Sequence, residues 1–387
     1  MPSRTSKKSS KKTSKKKSSS ESAKGGAGRS RLVLASKSAA MFPLTTVSGG
    51  DLDRFVEAKD ALSEQLLHPR GFGPRGAVAF AVRRPAASPA PEDNLSGVGI
   101  GEKISGGRHT GIMAVKFLVR IKYSDEQISP SDRLPEQING LPTDVEEVGT
   151  FRRFEAAVPL AATPDPRSLL RPAPPGCSVG FQDPGGNFVM AGTFGALVRR
   201  GQRLFILSNN HVLADENSLP VGSATFQPGF LDAGDPPVTD QIAELSAFVQ
   251  LQLLNPNFVD CAISEVFDPS LVTNSIIKIG PPSGAALAKD KMIVHKFGRT
   301  TGYRVGFVDT IMMDVSVDYG IGTLKFKNQI IIKGLDGQPF SAEGDSGSLI
   351  VERDTARAVG LLFAGSSSHT IANHIGDVFQ ALNIRLA

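Results

Sequence analysis

Tryptophan is absent from this 387-residue chain and tyrosine occurs three times, so 22 phenylalanines carry almost all the aromatic packing. There are two cysteines, Cys177 and Cys261, too few and too far apart for a disulfide framework, and that usage points to a reducing compartment. No run of 18 apolar residues occurs, which argues against a membrane-spanning helix. The N-terminus is rich in Ser and Lys and lacks the apolar stretch of a secretory signal. A cytoplasmic protein with no membrane partner is the expectation. Metal chemistry lacks its usual ligands, with no Cys cluster and no pair of histidines at helical ligand spacing. Neither a metal nor a cofactor is expected.

What is abundant is glycine and proline, 40 and 26 residues, in a chain that is 40% hydrophobic. Many turns with enough apolar material for cores fit a β-rich protein better than a helical bundle. The formal charge of +5 is unevenly placed. Residues 1–24 hold Arg4 and eight lysines against Glu21 alone, a charge of +8, so the remainder carries −3. Residues 1–30 show no hydrophobic periodicity and cannot bury enough apolar surface to offset their ordering entropy, so a disordered tail is expected. Such a tail serves either as a solvated arm or as a weak, salt-dependent contact for a polyanion.

Residues 50–160 read as a small α/β accessory domain. Asp51–Leu67 has helical spacing, with Leu52, Phe55, Val56, Leu62 and Leu66 on one face. Strand-like runs follow at Gly76–Val82 and Met113–Tyr123; the second sets Val115, Phe117, Val119 and Ile121 against Lys116, Arg120 and Lys122. Gly97, Gly99 and Gly101 alternate and lack the spacing of a phosphate-binding loop, so a strand end or turn is expected there. Prolines between Pro159 and Pro175 mark a linker. From 176 to 387, short β-type runs recur between turn residues, including Arg203–Leu207, Asp260–Val266, Met292–Phe297, Gln329–Ile332, Ser348–Val351 and Ala358–Phe363. That pattern suggests a sandwich or paired antiparallel barrels.

The chemistry concentrates at Glu343-Gly344-Asp345-Ser346-Gly347-Ser348. A serine hydroxyl attacks only when a neighbouring base takes its proton, and the oxyanion that results needs inward-pointing N–H donors. Glycines on both sides of Ser346 permit a tight turn, and the N–H groups of Gly344 and Ser346 are the expected donors. Of six histidines, His211 stands out, because it follows the apolar run Leu204–Leu207 through Ser208-Asn209-Asn210. His295, His369 and His374 read as structural or surface residues. The carboxylate that orients the base is Asp260, at the edge of Asp-Cys-Ala-Ile, with Asp240 as its competitor.

The order His, Asp, Ser, carried by Ser-Asn-Asn-His-Val, Val-Asp-Cys-Ala-Ile and Gly-Asp-Ser-Gly-Ser, resembles the trypsin-like serine proteases. Beyond that, Phe297–Gly306, Ser341–Val351 and Val359–Ile371, with Val98–Gly107 and Leu141–Gly149, resemble the plant narrow-leaf type proteases and their bacterial relatives. The resemblance spans roughly residues 95–385. It implies a chymotrypsin-like double β-barrel over 176–387, preceded by the accessory domain, and an intracellular serine endopeptidase. It also places a substrate-pairing strand at Phe363-Ala364-Gly365, where a peptide adds by β-pairing. Phe297–Gly302 reads as a structural strand and turn of the second barrel, with substrate contact as the alternative. Neither Phe340-Ser341 nor Phe363–Gly365 supplies an acid for a Lys/Arg pocket, so small or apolar side chains are expected. A secretory pro-segment that would release a new N-terminus to pair with Asp345 is not evident. Two functions follow: hydrolysis of a protein or peptide substrate through an acyl-enzyme, or a latent protease-fold binding or assembly protein. A homo-oligomer is compatible with either.

Overall fold

A computed structural model of the chain describes residues 42–44, 46–67, 94–130, 132–153, 164–182, 189–233, 240–335 and 337–387. The basic tail, the Gly76–Val82 run and the first part of the proline-rich stretch lie outside these residues. The described part is mainly β.

Helix α1 (Gly49–Leu66) opens on Ser48, whose hydroxyl and backbone exchange hydrogen bonds with Asp51 in a capping box. Its buried residues are Phe55, Ala58, Lys59, Leu62 and Ser63. The inward face is thus rotated from the purely apolar stripe of Leu52, Val56 and Leu66, because a buried acid on a distant strand attracts Lys59 and Ser63. Strands β1 (Leu95–Ser105), β2 (Arg108–Val119), β3 (Gln137–Ile138) and β4 (Leu141–Glu147) follow. The alternating glycines lie inside β1, not at its end. A Cβ on Gly99 would come within 2.5 Å of Met313 Sδ, so the spacing serves close strand contact. The two-residue strand β5 (Arg152–Arg153) comes next. The prolines near 172–175 do not form a free linker: Ala173 and Val272 form a parallel bridge, and Ile277 N–H donates to Pro175 O.

The first barrel is built from β6 (Ser178–Val179), β7 (Gly192–Thr193), β8 (Ala196–Arg200), β9 (Arg203–Ser208), β10 (Ala224–Phe226), β11 (Gln241–Phe248) and β12 (Ala262–Val266). The helical turns α2 (Asn210–Leu213) and α3 (Phe230–Ala233) interrupt them. Pairing runs β10-β11-β12-β9-β8; β7 leads directly into β8 and pairs with β6, and a bridge from Gly180 to Phe226 returns the circuit to β10. Phe181, Phe194, Phe205, Ile206, Leu207, Ile242 and Ile263 fill its core.

The second barrel comprises β13 (Ile293–Gly298), β14 (Gly302–Tyr319), β15 (Gly322–Gly334), β16 (Leu349–Glu352), β17 (Ala358–Gly365) and β18 (Thr370–His374). Each strand pairs with the next in the order β13-β16-β17-β18-β15-β14, and β14 pairs back to β13, so the barrel closes. Val294, Val308, Ile330, Ile332, Ile350, Val359 and Leu362 fill the interior. Strands β14 and β15 run well past the barrel. Beyond it, β1 pairs along β14 from Thr310 to Val315, and β2, β4 and β3 extend the same sheet. The region expected as an accessory domain therefore shares a sheet with the barrel. Helix α4 (Ile375–Leu382) then leads to β19 (Arg385–Leu386), which pairs with β8 of the first barrel.

Candidate active site

Three of the residues singled out in the sequence lie at the junction of the barrels. Strand β9 ends at Ser208, and one turn of α2 carries His211. Asp260 sits just before β12 and is fixed from all sides. Its Oδ1 accepts the Asn210 N–H at 2.7 Å, its Oδ2 accepts the Tyr319 hydroxyl at 2.7 Å, and its own N–H donates to Asn373 Oδ1 at 3.1 Å. Asn373 donates in turn to Gln329. Asp260 Oδ2 lies 2.5 Å from His211 Nδ1. With an ionised Asp260 as acceptor the proton resides on Nδ1, and the Nε2 lone pair is left without a partner. The competitor, Asp240, does not reach this pair; its carbonyl accepts from Gln227 and Arg171. Tyr319 packs edge-on against the imidazole, with centroids 5.8 Å apart.

Ser346 is held in a turn whose glycines have φ of +91° at Gly344 and +92° at Gly347, a region L side chains rarely adopt. At Gly347 a Cβ would also collide with Ser208 Oγ at 2.1 Å. The turn is stitched to the first barrel: Thr193 N–H donates to Ser346 O at 2.8 Å and Thr193 Oγ1 to Gly344 O at 3.0 Å. Gly192 is the spacer between the two sides, since a Cβ there would lie 2.6 Å from Val212 Cγ2 and 3.1 Å from Ser346 O. Ser346 Oγ donates to Phe363 O at 3.2 Å, not to His211. Both Ser346 and His211 are 0% exposed.

Asp345 needs a cation, and a side chain supplies it. Lys296, on β13, lies 2.8 Å from Asp345 Oδ2, and both are fully buried. Thr301 Oγ1 and the N–H groups of Thr300, Thr301 and Ala342 complete the shell at 2.6–3.1 Å. Burial opposes ionisation of Asp345, but the Lys296 charge and the hydrogen bonds from Lys296 and Thr301 outweigh it and hold the carboxyl below its ordinary value. The Phe297–Gly302 motif therefore positions the Ser346 turn, and its Arg299 pairs with Asp232. No sequence signal singled out Lys296, because it occupies an ordinary alternating position in β13 and its partner is 49 residues away.

His369 is not a surface residue. It is 4% exposed and belongs to a buried ionic network of Glu146, Lys116, Asp309 and Lys333. Lys116, on the strand face opposite Val115 and Phe117, is 1% exposed, because the sheet is covered on that side by this network. Glu146, Asp309 and His369 cluster closely enough to ligate a cation. Two lysine ammonium groups already neutralise the carboxylates, so the donor set suits an ion-pair network and not a metal. Of the remaining histidines, His295 meets Tyr303 and His109 meets Glu102. Cys177 and Cys261 are free and buried. Among the described residues no helix is long and apolar enough to cross a membrane.

Two barrels with an Asp–His pair and a Gly-Asp-Ser-Gly turn at their junction make this a chymotrypsin-like protease fold, and the chain resembles the trypsin-like serine proteases. In particular, it is 24% identical over 310 residues to Protein NARROW LEAF 1 of Oryza sativa subsp. japonica, covering 70% of this chain. The chain spans about half (51%) of that relative's length. Among solved structures, a glutamic-acid-specific serine protease with a histidine triad in substrate binding is 18% identical, with TM-score 0.40, covering 55% of this chain and 100% of its own. Thermobifida fusca protease A is 17% identical, with TM-score 0.39, covering 55% and 97%. No family model matches the chain.

Proposed function

We propose that the protein is a serine endopeptidase in which Ser346 attacks the peptide carbonyl, His211 is the base and Asp260 orients it. The 2.5 Å contact between Asp260 and His211 Nδ1, with Nε2 unpartnered, carries this reading. Catalysis requires Ser346 Oγ to leave Phe363 O and engage His211 Nε2; such bonds often tighten only when substrate binds. Nε2 then takes the hydroxyl proton and returns it to the leaving amine. The oxyanion lies on the N–H groups of Gly344 and Ser346, neither of which has an acceptor among the described residues. A peptide substrate would pair with Phe363-Ala364-Gly365. Buried, free Cys177 and Cys261 support residence in a reducing compartment.

The burial of Ser346 and His211, with Oγ turned to Phe363 O, favours a second reading, a latent protease-fold protein with little turnover. A fluorophosphonate probe, which asks only for an activated serine, separates the two. Wild type should label, while Ser346→Ala should not, and His211→Ala should label at least about 10³-fold more slowly. A folded wild type that never labels would establish latency.

A further inference from the structure

We infer that β5 is a ligand in cis of the peptide-pairing edge of β17: the chain's own Arg152–Arg153 backbone occupies the place of a substrate, which enters by displacing it. This role rests on Ser346 acting as the nucleophile.

One edge of β17 is covered by β18 from Gly360 to Gly365. The other is shared by three partners in succession. Strand β16 covers Ala358 to Leu361. The nucleophile turn takes the next stretch, where Gly347 N–H donates to Leu362 O at 2.8 Å, Leu362 N–H donates to Ser348 O at 3.0 Å, and Ser346 Oγ donates to Phe363 O. The two positions beyond belong to β5, antiparallel, with Arg153 opposite Ala364 and Arg152 opposite Gly365. From Arg152 to Arg153 the chain therefore runs toward Phe363 and the Ser346 hydroxyl. A peptide that delivers a carbonyl to Ser346 along this edge must run in that same direction and pair with those same residues.

The occupant is firmly held. Phe151 is buried in a core with Val148, Leu251, Tyr319, Phe363 and Ala364. Its carbonyl accepts the Asp318 N–H at 3.3 Å, and Arg152 pairs in parallel with Asp318 of β14. Strand β5 is thus flanked by β14 and β17, so no edge remains open for a peptide at Ala364 and Gly365. The complete burial of Ser346 and His211 is what such a closed site requires.

Two variants of the full chain test the idea. Arg153→Pro removes an N–H and is poorly tolerated in a strand flanked on both sides. It should raise the kcat/KM for fluorescein-labelled casein at least about tenfold. The second, Arg152→Cys with Gly365→Cys, places two thiols on directly opposed residues, within disulfide reach. Oxidation should lower casein hydrolysis at least about tenfold, and a reductant should restore it in the same protein; buried Cys177 and Cys261 stay out of the exchange. If Arg153→Pro does not fold, the crosslinked protein decides alone. Fluorophosphonate labelling separates the two failures. Labelling with casein turnover unmoved by release, lock and reduction overturns the role of β5 and leaves the nucleophile standing. Absence of labelling in every folded form, casein turnover included, removes the nucleophile and the role of β5 with it.

Discussion

Replacing Lys296 by Met takes one member from a fully buried ion pair and leaves Asp345 with four donors but no neutralising charge. Removing one partner of a buried pair costs about 3–5 kcal/mol, a large share of the roughly 5–15 kcal/mol that holds a typical domain together. The pH dependence should also change sign. In wild type Asp345 is held below its ordinary 3.8, so its contribution is complete above that value and is lost as pH falls through the lowered one. In the variant, burial acts without the Lys296 charge and raises the pKa, so the ionised form is penalised at neutrality and relieved by acid. Between pH 7.5 and 5 the variant should gain stability relative to wild type. With no tryptophan to report unfolding, urea titrations followed by far-UV circular dichroism are the suitable assay. Lys296→Met/Asp345→Asn, which removes the orphan charge, should recover most of the loss. Because Asp345 precedes Ser346, fluorophosphonate labelling of Lys296→Met should slow as well. A Lys296→Met protein with an unchanged urea midpoint, or with the wild-type sign of pH dependence, would refute the assignment.

Tyr319→Phe removes the hydroxyl that Asp260 accepts at 2.7 Å; a hydrogen bond to a charged group is worth about 1.5–3 kcal/mol, so kcat should fall about tenfold with KM unchanged in steady-state hydrolysis. Asp314→Ala strips the carboxylate that binds Lys59 Nζ at 3.1 Å and Ser63 Oγ at 2.6 Å. Lys59 keeps the half-exposed Asp60 at 2.7 Å, so the loss should stay below the about 3–5 kcal/mol of an uncompensated buried charge, and faster limited proteolysis within α1 should reveal the release. Burial raises the Glu146 carboxyl, but the His369 hydrogen bond and the Lys116 and Lys333 charges outweigh it and hold it far below its ordinary 4.5. Its stabilisation is complete above pH 4.5 and is lost as pH falls below; Glu146→Gln should flatten that part of the urea-midpoint profile.

Strands β9, β12, β13, β16 and β17 were legible because each is a local apolar run bounded by turn residues. Ser346, His211 and Asp260 stand out as candidates because their motifs are short and their order is informative; of these, the structure pairs His211 with Asp260. What escaped depends on partners far along the chain. The inward face of α1 cannot be read without Asp314, 255 residues from Lys59. Lys116 and Lys296 sit in alternating patterns that signal solvent, and only the acids packed over them make those positions interior. Strand β5, two arginines with no β-type signal, exists because β14 and β17 present edges on either side of it. Proline spacing suggested a linker where backbone pairing to the first barrel holds the segment down.

Strand β19 pairs with β8, and Ala387 N–H donates to Leu197 O at 3.1 Å. Nearly 190 residues of chain separate those partners. As the polypeptide emerges from the ribosome, β8 therefore waits for its neighbour until the whole second barrel has been synthesised. By then Lys296, Ser346 and β5 are all available to one another. Ser346, the proposed nucleophile, is thus synthesised only after β5, the strand proposed to cover its approach.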